Sequence, residues 1–366
     1  MFGFLMNLIY WLACGFGILF NGILTGLIIR NTPKTMRIYS KILLQTCFTD
    51  ISLLLMTLLF FPYCFTTEKG EMEEFVYGLV TIKGAENRIW NLLALICWIF
   101  LVYVSMFGYV SQFVFRYFVL VRAKSISSAK YFLLFFLMLL FPFAYCVSLF
   151  ICFFPSSSST EHAILEDKSV AEILGINLDQ QIVLAGYSFN DARQPISLAY
   201  IITVCTFVYL IICTLAFRIE NFLKNQTKIS ASFGSLNDQM IELNKQISRT
   251  LIVQASMPLI IYLSVLFLLA INLFKIDTKN MAWLQYYNLF SSIPQIVPSA
   301  LNPIVSIWML RYYRNPFVAD IKGLVMCVRR QLFCHPRTFV NEPQQQQNNN
   351  KWAISVAHYR GTPSKQ

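Results

Sequence analysis

The sequence predicts an all-α fold in which a bundle of seven transmembrane helices is followed by an amphipathic helix on the cytoplasmic side. Three observations support this prediction: a membrane-like composition, seven long apolar runs, and basic residues concentrated in every second connecting segment. The 366 residues are 57% hydrophobic and 13% charged, whereas soluble domains are about 45–50% apolar and about 25% charged. Because a soluble protein of this length needs a polar surface, the composition excludes a soluble globular class.

Seven apolar runs are long enough to cross a bilayer. A helix that crosses about 30 Å of hydrocarbon needs roughly 20 apolar residues at about 1.5 Å each. The first run begins close to Met1 without a basic segment or a small-residue cleavage site, so we expect a retained anchor rather than a removed signal peptide. The predicted spans are approximately 4–29, 42–65, 89–115, 131–154, 196–217, 250–274 and 283–310.

Basic residues indicate which connecting segments lie in the cytoplasm. Segments 30–41, 116–130 and 218–249, together with the tail from Arg311, hold 22 of the 29 Lys and Arg residues. We therefore expect the N-terminus outside and the C-terminus inside. The charges are spread over four segments rather than one stripe, so they indicate topology and contact with membrane lipids and argue against a nucleic-acid partner.

The chain divides into three predicted parts: the bundle over residues 1–312, a juxtamembrane amphipathic helix over 313–335, and a disordered polar tail over 336–366. Cys327 and Cys334 are candidate palmitoylation sites, and an unmodified state of both remains open. One face of the amphipathic helix carries Phe317, Ile321, Leu324, Val325, Val328 and Leu332.

Asp50 is the one acidic residue inside a predicted span. A carboxylate in hydrocarbon is costly, so this side chain is expected to face the bundle interior and to have polar partners. By position alone, three roles remain open: a structural hydrogen-bond network, a proton or cation site, and part of a transport path. The candidate partners are polar residues on other spans, Asn21, Ser105, Ser299 and Asn302.

Arg116 ends the third span on the inner side. It is either an anchor that extends its charge to the interface, or a switch residue bonded to an acid on a neighbouring helix. Before the sixth span, apolar residues recur at helical spacing, which predicts that this helix extends into the cytosol. The stripe either docks a partner or continues the core face, and it consists of Met240, Leu243, Ile247 and Leu251.

The sequence carries no pattern typical of an enzyme. Its three histidines, His162, His335 and His358, all lie outside the predicted spans. A phosphate-binding Walker loop and the HExxH zinc motif are both absent from the sequence. We therefore expect no catalytic residues, no metal site and no cofactor.

Several short motifs together resemble the rhodopsin-like superfamily of G-protein-coupled receptors, in helix position and in order. In that superfamily, residues at the spacings of Ser105 and Ser299 line a cation pocket around the second-helix acid. The resemblance also implies that Asp238, twenty positions before Pro258, pairs with Arg116. The motifs are Phe20-Asn21-Gly22, Thr49-Asp50, Phe115-Arg116-Tyr117, Pro258 and Asn302-Pro303.

The sequence departs from the superfamily pattern at several positions, which is typical of divergent nematode chemoreceptors. Phe115 replaces the acid before the third-helix arginine, Ser306 replaces the tyrosine of NPxxY, and Asn91 replaces the disulfide cysteine. Trp98 stands in place of the amine-binding acid, so a biogenic-amine ligand is not expected. Residues 31–47, from Asn31-Thr32-Pro33 to Gln45-Thr46-Cys47, resemble the serpentine receptor class delta family, and so does Leu301-Asn302-Pro303 followed by Arg311-Tyr312-Tyr313-Arg314.

This resemblance implies a chemosensory receptor of the plasma membrane, including that of sensory-neuron cilia. It would bind a small environmental molecule from outside and activate a heterotrimeric G protein inside, where Arg116 and the basic loops would meet that partner. Candidate ligand-binding residues are aromatic ones in the outer halves of the third, sixth and seventh spans: Trp98, Tyr103, Phe267, Tyr286 and Tyr287.

Two alternatives remain open. The first is a ligand-gated channel or transporter with Asp50 on the ion path. Against it, insect odorant channels place the N-terminus inside, and transporters usually carry repeated halves, of which this sequence shows none. The second alternative is a receptor-like chain that no longer signals.

Overall fold

The structure is a computed structural model, and it describes residues 2–32, 37–66, 72–124, 126–158, 164–185, 193–233, 238–273 and 282–333. The chain divides into two units, Met1–Ala319 and Asp320–Gln366. The predicted tail over 336–366 lies outside the described residues.

Helices dominate the described chain. The helices are α1 (Phe2–Asn31), α2 (Arg37–Leu59), α3 (Arg88–Leu120), α4 (Ser128–Ser158), α5 (Lys168–Leu174), α6 (Arg193–Phe233), α7 (Asp238–Ser256), α8 (Pro258–Leu273), α9 (Ala282–Phe290), α10 (Ile293–Met309) and α11 (Arg311–Phe333). Two strands follow α2, namely β1 (Pro62–Thr66) and β2 (Met72–Val76).

Within the described ranges, five helices are long and apolar enough to cross a membrane, and they are α1, α2, α3, α4 and α6. A sixth is added if Gln285–Met309 and Arg311–Val328 are taken as one bent span. The predicted sixth span falls on the end of α7 and on α8, and the seventh falls on α9 and α10.

Prolines explain why the sixth and seventh spans are interrupted. A proline has no N–H to donate, and its ring disfavours helical geometry at the residue before it. The helix that ends at Ser256 resumes at Pro258, and α10 begins at Ile293, directly before Pro294. Each break leaves backbone carbonyl groups without an N–H donor, and polar side chains of other helices can then donate hydrogen bonds to them.

The connection after α2 forms a hairpin that the sequence did not predict. The second helix ends at Leu59, before the predicted edge at residue 65, because Pro62 cannot continue it. β1 and β2 then pair antiparallel, with Tyr63 opposite Phe75. These two aromatic rings stack at 5.4 Å between centroids, and both side chains are buried in the outer core.

The bundle core lies along the helix interfaces, while large apolar side chains such as Phe136 and Phe207 remain exposed on the outside. Such an apolar surface around the bundle is expected for a protein that is surrounded by lipid hydrocarbon. Helix α7 begins at Asp238, twelve residues before the predicted sixth span. Leu243, Ile247 and Leu251 are buried in the core, so the described part of the apolar stripe continues the core face. The side chain of Met240 lies outside the described residues.

Candidate functional site

A fully buried carboxylate lies at the centre of the bundle. Asp50 on α2 has no exposed surface, and it accepts hydrogen bonds from three side chains of two other helices. Ser299 Oγ donates to Oδ1 at 2.8 Å, and Asn302 Nδ2 donates to Oδ2 at 2.9 Å. Ser105 Oγ on α3 donates to Oδ1 at 3.3 Å. The network therefore ties α2, α3 and α10 together through one side chain.

Asn21 on α1 joins this network through the backbone of α10 rather than through Asp50. Its Nδ2 donates to the Ser299 carbonyl at 3.1 Å and to the Gly17 carbonyl at 2.9 Å. In a regular helix the Ser299 carbonyl would accept from the N–H of residue 303, but that residue is Pro303 and has none. Asn21 thus supplies the donor that the proline removes.

The chemistry of this cluster suits a proton or a hard cation. It offers carboxylate, hydroxyl and amide oxygens, the kind of atom that hard cations take, and the donors that face Asp50, including the Asn302 amide nitrogen, are neutral. The Oδ1 atoms of Asn21 and Asn302 are buried and accept no hydrogen bond from the described residues. Within those residues, no group of three or more His, Cys, Asp or Glu side chains is placed to hold a metal.

Arg116 lies buried near the C-terminal end of α3. Its guanidinium carbon is 5.0 Å from the centroid of the Tyr39 ring on α2, and both side chains are less than 10% exposed. This is the geometry of a cation–π interaction, which is strengthened where water is excluded. Asp238, the acid that the resemblance assigns to this arginine, is the first residue of α7, and its side chain lies outside the described part.

A glutamine that sequence reasoning missed connects α7 to α10. Gln254 is buried, and its Nε2 donates to Ser306 Oγ at 3.0 Å and to the Asn302 carbonyl at 3.2 Å. An amide within an otherwise apolar run is the signal that could have identified it. Since Asn302 also donates to Asp50, a continuous chain of hydrogen bonds runs from α2 through α10 to α7.

A second missed cluster links α2, α3 and α4 towards their inner ends. Gln112 Nε2 donates to Thr46 Oγ1 at 3.0 Å, and the Tyr131 hydroxyl donates to Gln45 Oε1 at 2.7 Å. The Tyr131 ring also packs edge-on against Phe115, with centroids 5.6 Å apart. Phe115, which stands in place of the acid before Arg116, is thus part of an apolar contact with α4.

The aromatic residues predicted to bind ligand lie in separate groups. Trp98 is buried against α2 and donates from Nε1 to Thr57 Oγ1 at 2.8 Å. Tyr103 packs edge-on against Tyr145 of α4, with centroids 5.5 Å apart.

The remaining predicted aromatics lie on α8 and α9. Phe267 and Tyr287 meet edge-on at 5.1 Å between centroids, and the Tyr287 hydroxyl donates to the Ser264 carbonyl at 3.3 Å. Phe267 and Tyr286 are 42% and 39% exposed, respectively. The ring contacts of the predicted residues thus include Tyr103 with Tyr145, between α3 and α4, and Phe267 with Tyr287, between α8 and α9.

An acidic side chain on the outer hairpin also belongs to this end of the bundle. Glu74 lies opposite Cys64 in the β1–β2 register. Burial raises the pKa of the Glu74 carboxyl to about 7. Sequence reasoning passed over this residue, because it lies in a loop among several other acids.

The two candidate lipidation sites lie beyond Ala319. Cys327 on α11 is an exposed free thiol, flanked by exposed Met326 and Val328. Cys334 lies outside the described residues. An exposed thiol among apolar side chains is accessible to acylation.

Comparisons with known proteins identify the architecture. The family described as "Serpentine type 7TM GPCR chemoreceptor Srd" matches residues 6–319. The fold is similar to the crystal structure of squid rhodopsin, with a TM-score of 0.57 at 12% sequence identity, over 89% of this chain and 87% of that one. No curated protein matches the sequence. The predicted seven-transmembrane bundle and the family resemblance are both confirmed.

Proposed function

Because the chain belongs to the Srd family of serpentine seven-transmembrane chemoreceptors, we propose that it binds a small environmental molecule at its outer end and activates a heterotrimeric G protein at its inner end. The chain of hydrogen bonds from Asp50 through Asn302 to Gln254 is the observation that supports this function best. It couples α2, α10 and α7 by a few hydrogen bonds, which a modest free energy can rearrange.

The orientation in this proposal follows the basic residues, with the N-terminus outside and the tail from Arg311 inside. The protein would lie in the plasma membrane, and in a sensory neuron that includes the ciliary membrane. The ligand would then reach the bundle from the side of the β1–β2 hairpin.

The two outer aromatic pairs are the proposed ligand-binding surfaces. Tyr103 and Tyr145 present rings from α3 and α4, and Phe267 and Tyr287 present rings from α8 and α9. A small apolar or aromatic molecule that touched both pairs would stabilise one separation of these helices over another. A ligand shifts a conformational equilibrium only by its difference in affinity between the two states.

The inner end of α3 is the proposed coupling surface. In this structure Arg116 lies over the Tyr39 ring and is buried, so a partner protein cannot reach its charge. Movement of α7 away from α10 would break the bonds of Gln254 and open the inner end of the bundle. Arg116 would then leave Tyr39 and contact the G protein.

A G-protein dissociation assay in a heterologous cell tests this function. Wild type is compared with Arg116→Ala against a panel of small metabolites, and Lys168→Ala, an exposed cation at the start of α5 and outside the basic loops, is the control. We expect a ligand-dependent signal that Arg116→Ala abolishes and Lys168→Ala retains, at equal surface expression.

Two results would contradict the proposal. A ligand-gated current that persists without G protein would favour the channel alternative. A response of equal size in wild type and Arg116→Ala would remove this arginine from the coupling surface.

A further inference from the structure

An open cavity of about 600 Å³, lined by polar residues, lies between α6 and α7. Helix α6 continues to Phe233, well past the predicted end of its membrane span at residue 217. At about 1.5 Å per residue, this extension is roughly 24 Å long. The lining residues are Asn221, Lys224, Asn225, Thr227, Lys228 and Lys245.

The lining is strongly basic. Three of its side chains are lysines, two from α6 and one from α7, and none of the lining residues that the structure describes is acidic. Glu220 lies outside the lining and bonds Lys224 at 2.9 Å, but both side chains are more than half exposed. An exposed pair of this kind is weak, so it leaves Lys224 available to a stronger anion.

The predicted end of the α6 span at residue 217 would place the nearest lining residues of the cavity close to the lipid headgroups. Asn221 and Lys224 follow the predicted end of the span by one to two helical turns, or roughly 6–10 Å. The hydrocarbon core is flanked by a headgroup region of several ångströms on each side. An anion held at this depth can therefore remain anchored in the bilayer by its acyl chains.

We propose that this cavity binds the headgroup of a polyphosphorylated inositol lipid of the inner leaflet. Three ammonium groups from two helices suit several phosphates better than the single net charge of phosphatidylserine, because each lysine acts as a point charge for a phosphate. The amide groups of Asn221 and Asn225 can bond the inositol hydroxyls. The inference rests on the proposed orientation, which places this end of α6 in the cytoplasm.

Binding there would act on the proposed signalling movement. The headgroup would contact Lys224 and Lys228 on α6 and Lys245 on α7. A bound headgroup would thereby favour the conformations in which α6 and α7 are close enough for it to contact both. The lipid would thus modulate the equilibrium that the ligand controls from outside.

The test uses the full chain in nanodiscs of phosphatidylcholine, to which fluorescent phosphatidylinositol 4,5-bisphosphate is added. The variant carries Lys224→Gln, Lys228→Gln and Lys245→Gln together. A control variant carries Arg122→Gln, Lys124→Gln and Lys130→Gln, which removes the same charge from another predicted cytoplasmic segment. We expect the first variant to lose affinity about fivefold per lysine and about 100-fold in total, and the control to lose less than tenfold.

Three comparisons decide the outcome. Equal losses in the two variants, or phosphatidylserine binding as tightly as the bisphosphate, would overturn the proposal in favour of general electrostatic attraction. Soluble inositol 1,4,5-trisphosphate that binds as tightly as the lipid would identify a free phosphate ligand instead. Tighter binding of an acidic G-protein peptide than of the lipid would assign the cavity to that partner.

Failure of the lipid site and failure of the orientation are separable. The labelled lipid can enter either leaflet of a nanodisc, so this measurement does not depend on the orientation of the protein in the cell. Antibody labelling of a tag after Gln366 in intact and permeabilised cells measures the orientation directly. Unfolding temperatures of the test variant and the control variant that equal the wild-type value show that these substitutions leave the fold intact.

Discussion

The guanidinium carbon of Arg116 lies 5.0 Å from the centre of the Tyr39 ring, and both residues are buried within the bundle. The residue before this arginine is Phe115, which packs against Tyr131. The arginine is therefore held on α2 by an aromatic face, and the position of the usual neighbouring acid is occupied by an apolar contact to α4.

Removal of the Tyr39 ring should release Arg116. A desolvated cation–π contact contributes about 2 kcal/mol, so we expect Tyr39→Ala to raise basal G-protein activation. Tyr39→Phe retains an aromatic face and should remain close to wild type. The measurement is ligand-independent G-protein dissociation at matched surface expression. Basal signals that are identical in Tyr39→Ala and wild type would show that this ring does not restrain the arginine.

The pairing of Asn21 with the carbonyl left free by Pro303 can be tested by a double-mutant cycle. Asn21→Leu leaves the buried Ser299 carbonyl without its donor, which costs about 1–3 kcal/mol of unfolding free energy. In a Pro303→Ala background the new N–H can reach Ser299, so the same substitution should cost less. Unfolding in detergent measures all four proteins. An equal cost in both backgrounds would contradict the pairing.

Replacement of Asp50 should distinguish lost charge from lost hydrogen bonds. Asp50→Leu leaves the donors of Ser105, Ser299 and Asn302 without an acceptor. Each donor that stays buried and unpaired lowers the free energy of unfolding by about 1–3 kcal/mol. Asp50→Asn keeps one carbonyl oxygen and should lose less. Thermal inactivation in detergent measures both variants, with exposed Glu172→Gln as the control. A smaller loss for the leucine variant than for the asparagine variant would exclude a network held by acceptor oxygens.

The Glu74 carboxyl should make stability depend on pH. Its pKa is raised from the ordinary 4.5 to about 7 in the folded chain, so between these values the folded state binds more protons than the unfolded state. Stability must therefore fall as pH rises from about 4.5 to about 7, and change little from this group above that range.

Thermal unfolding at pH 5.5 and at pH 8 measures this effect. We expect wild type to unfold at a lower temperature at pH 8, and Glu74→Gln to show a smaller difference between the two pH values. Exposed Glu86→Gln should behave like wild type. If Glu74→Gln and Glu86→Gln show the same pH dependence, the effect belongs to another group.

Local chemistry explains why the central polar residues could be predicted from sequence. A lone acid such as Asp50 in an apolar run needs partners, and the polar residues of other spans are few. Asn21, Ser105, Ser299 and Asn302 were therefore the available partners. Sequence did not indicate that Asn21 would bond the Ser299 backbone, because that bond depends on how α1 crosses α10.

The aromatic residues show the opposite case. An outer half-span that is rich in Trp, Tyr and Phe offers many equivalent candidates, and composition does not say which rings meet. The structure pairs Tyr103 with Tyr145 of α4, and it directs Trp98 towards Thr57 of α2. Helix rotation decides these contacts, and rotation is set by packing along the whole bundle.

By itself, the sequence determined the membrane class, the approximate positions of the apolar spans, and the family, because hydrophobic length and short local motifs are properties of the linear chain. Only the tertiary structure decided that a hairpin covers the outer end, that Tyr39 holds Arg116, and that Gln254 joins α7 to α10. The physical reason is that each of these contacts joins residues far apart in sequence, whose meeting depends on the packing of several helices at once.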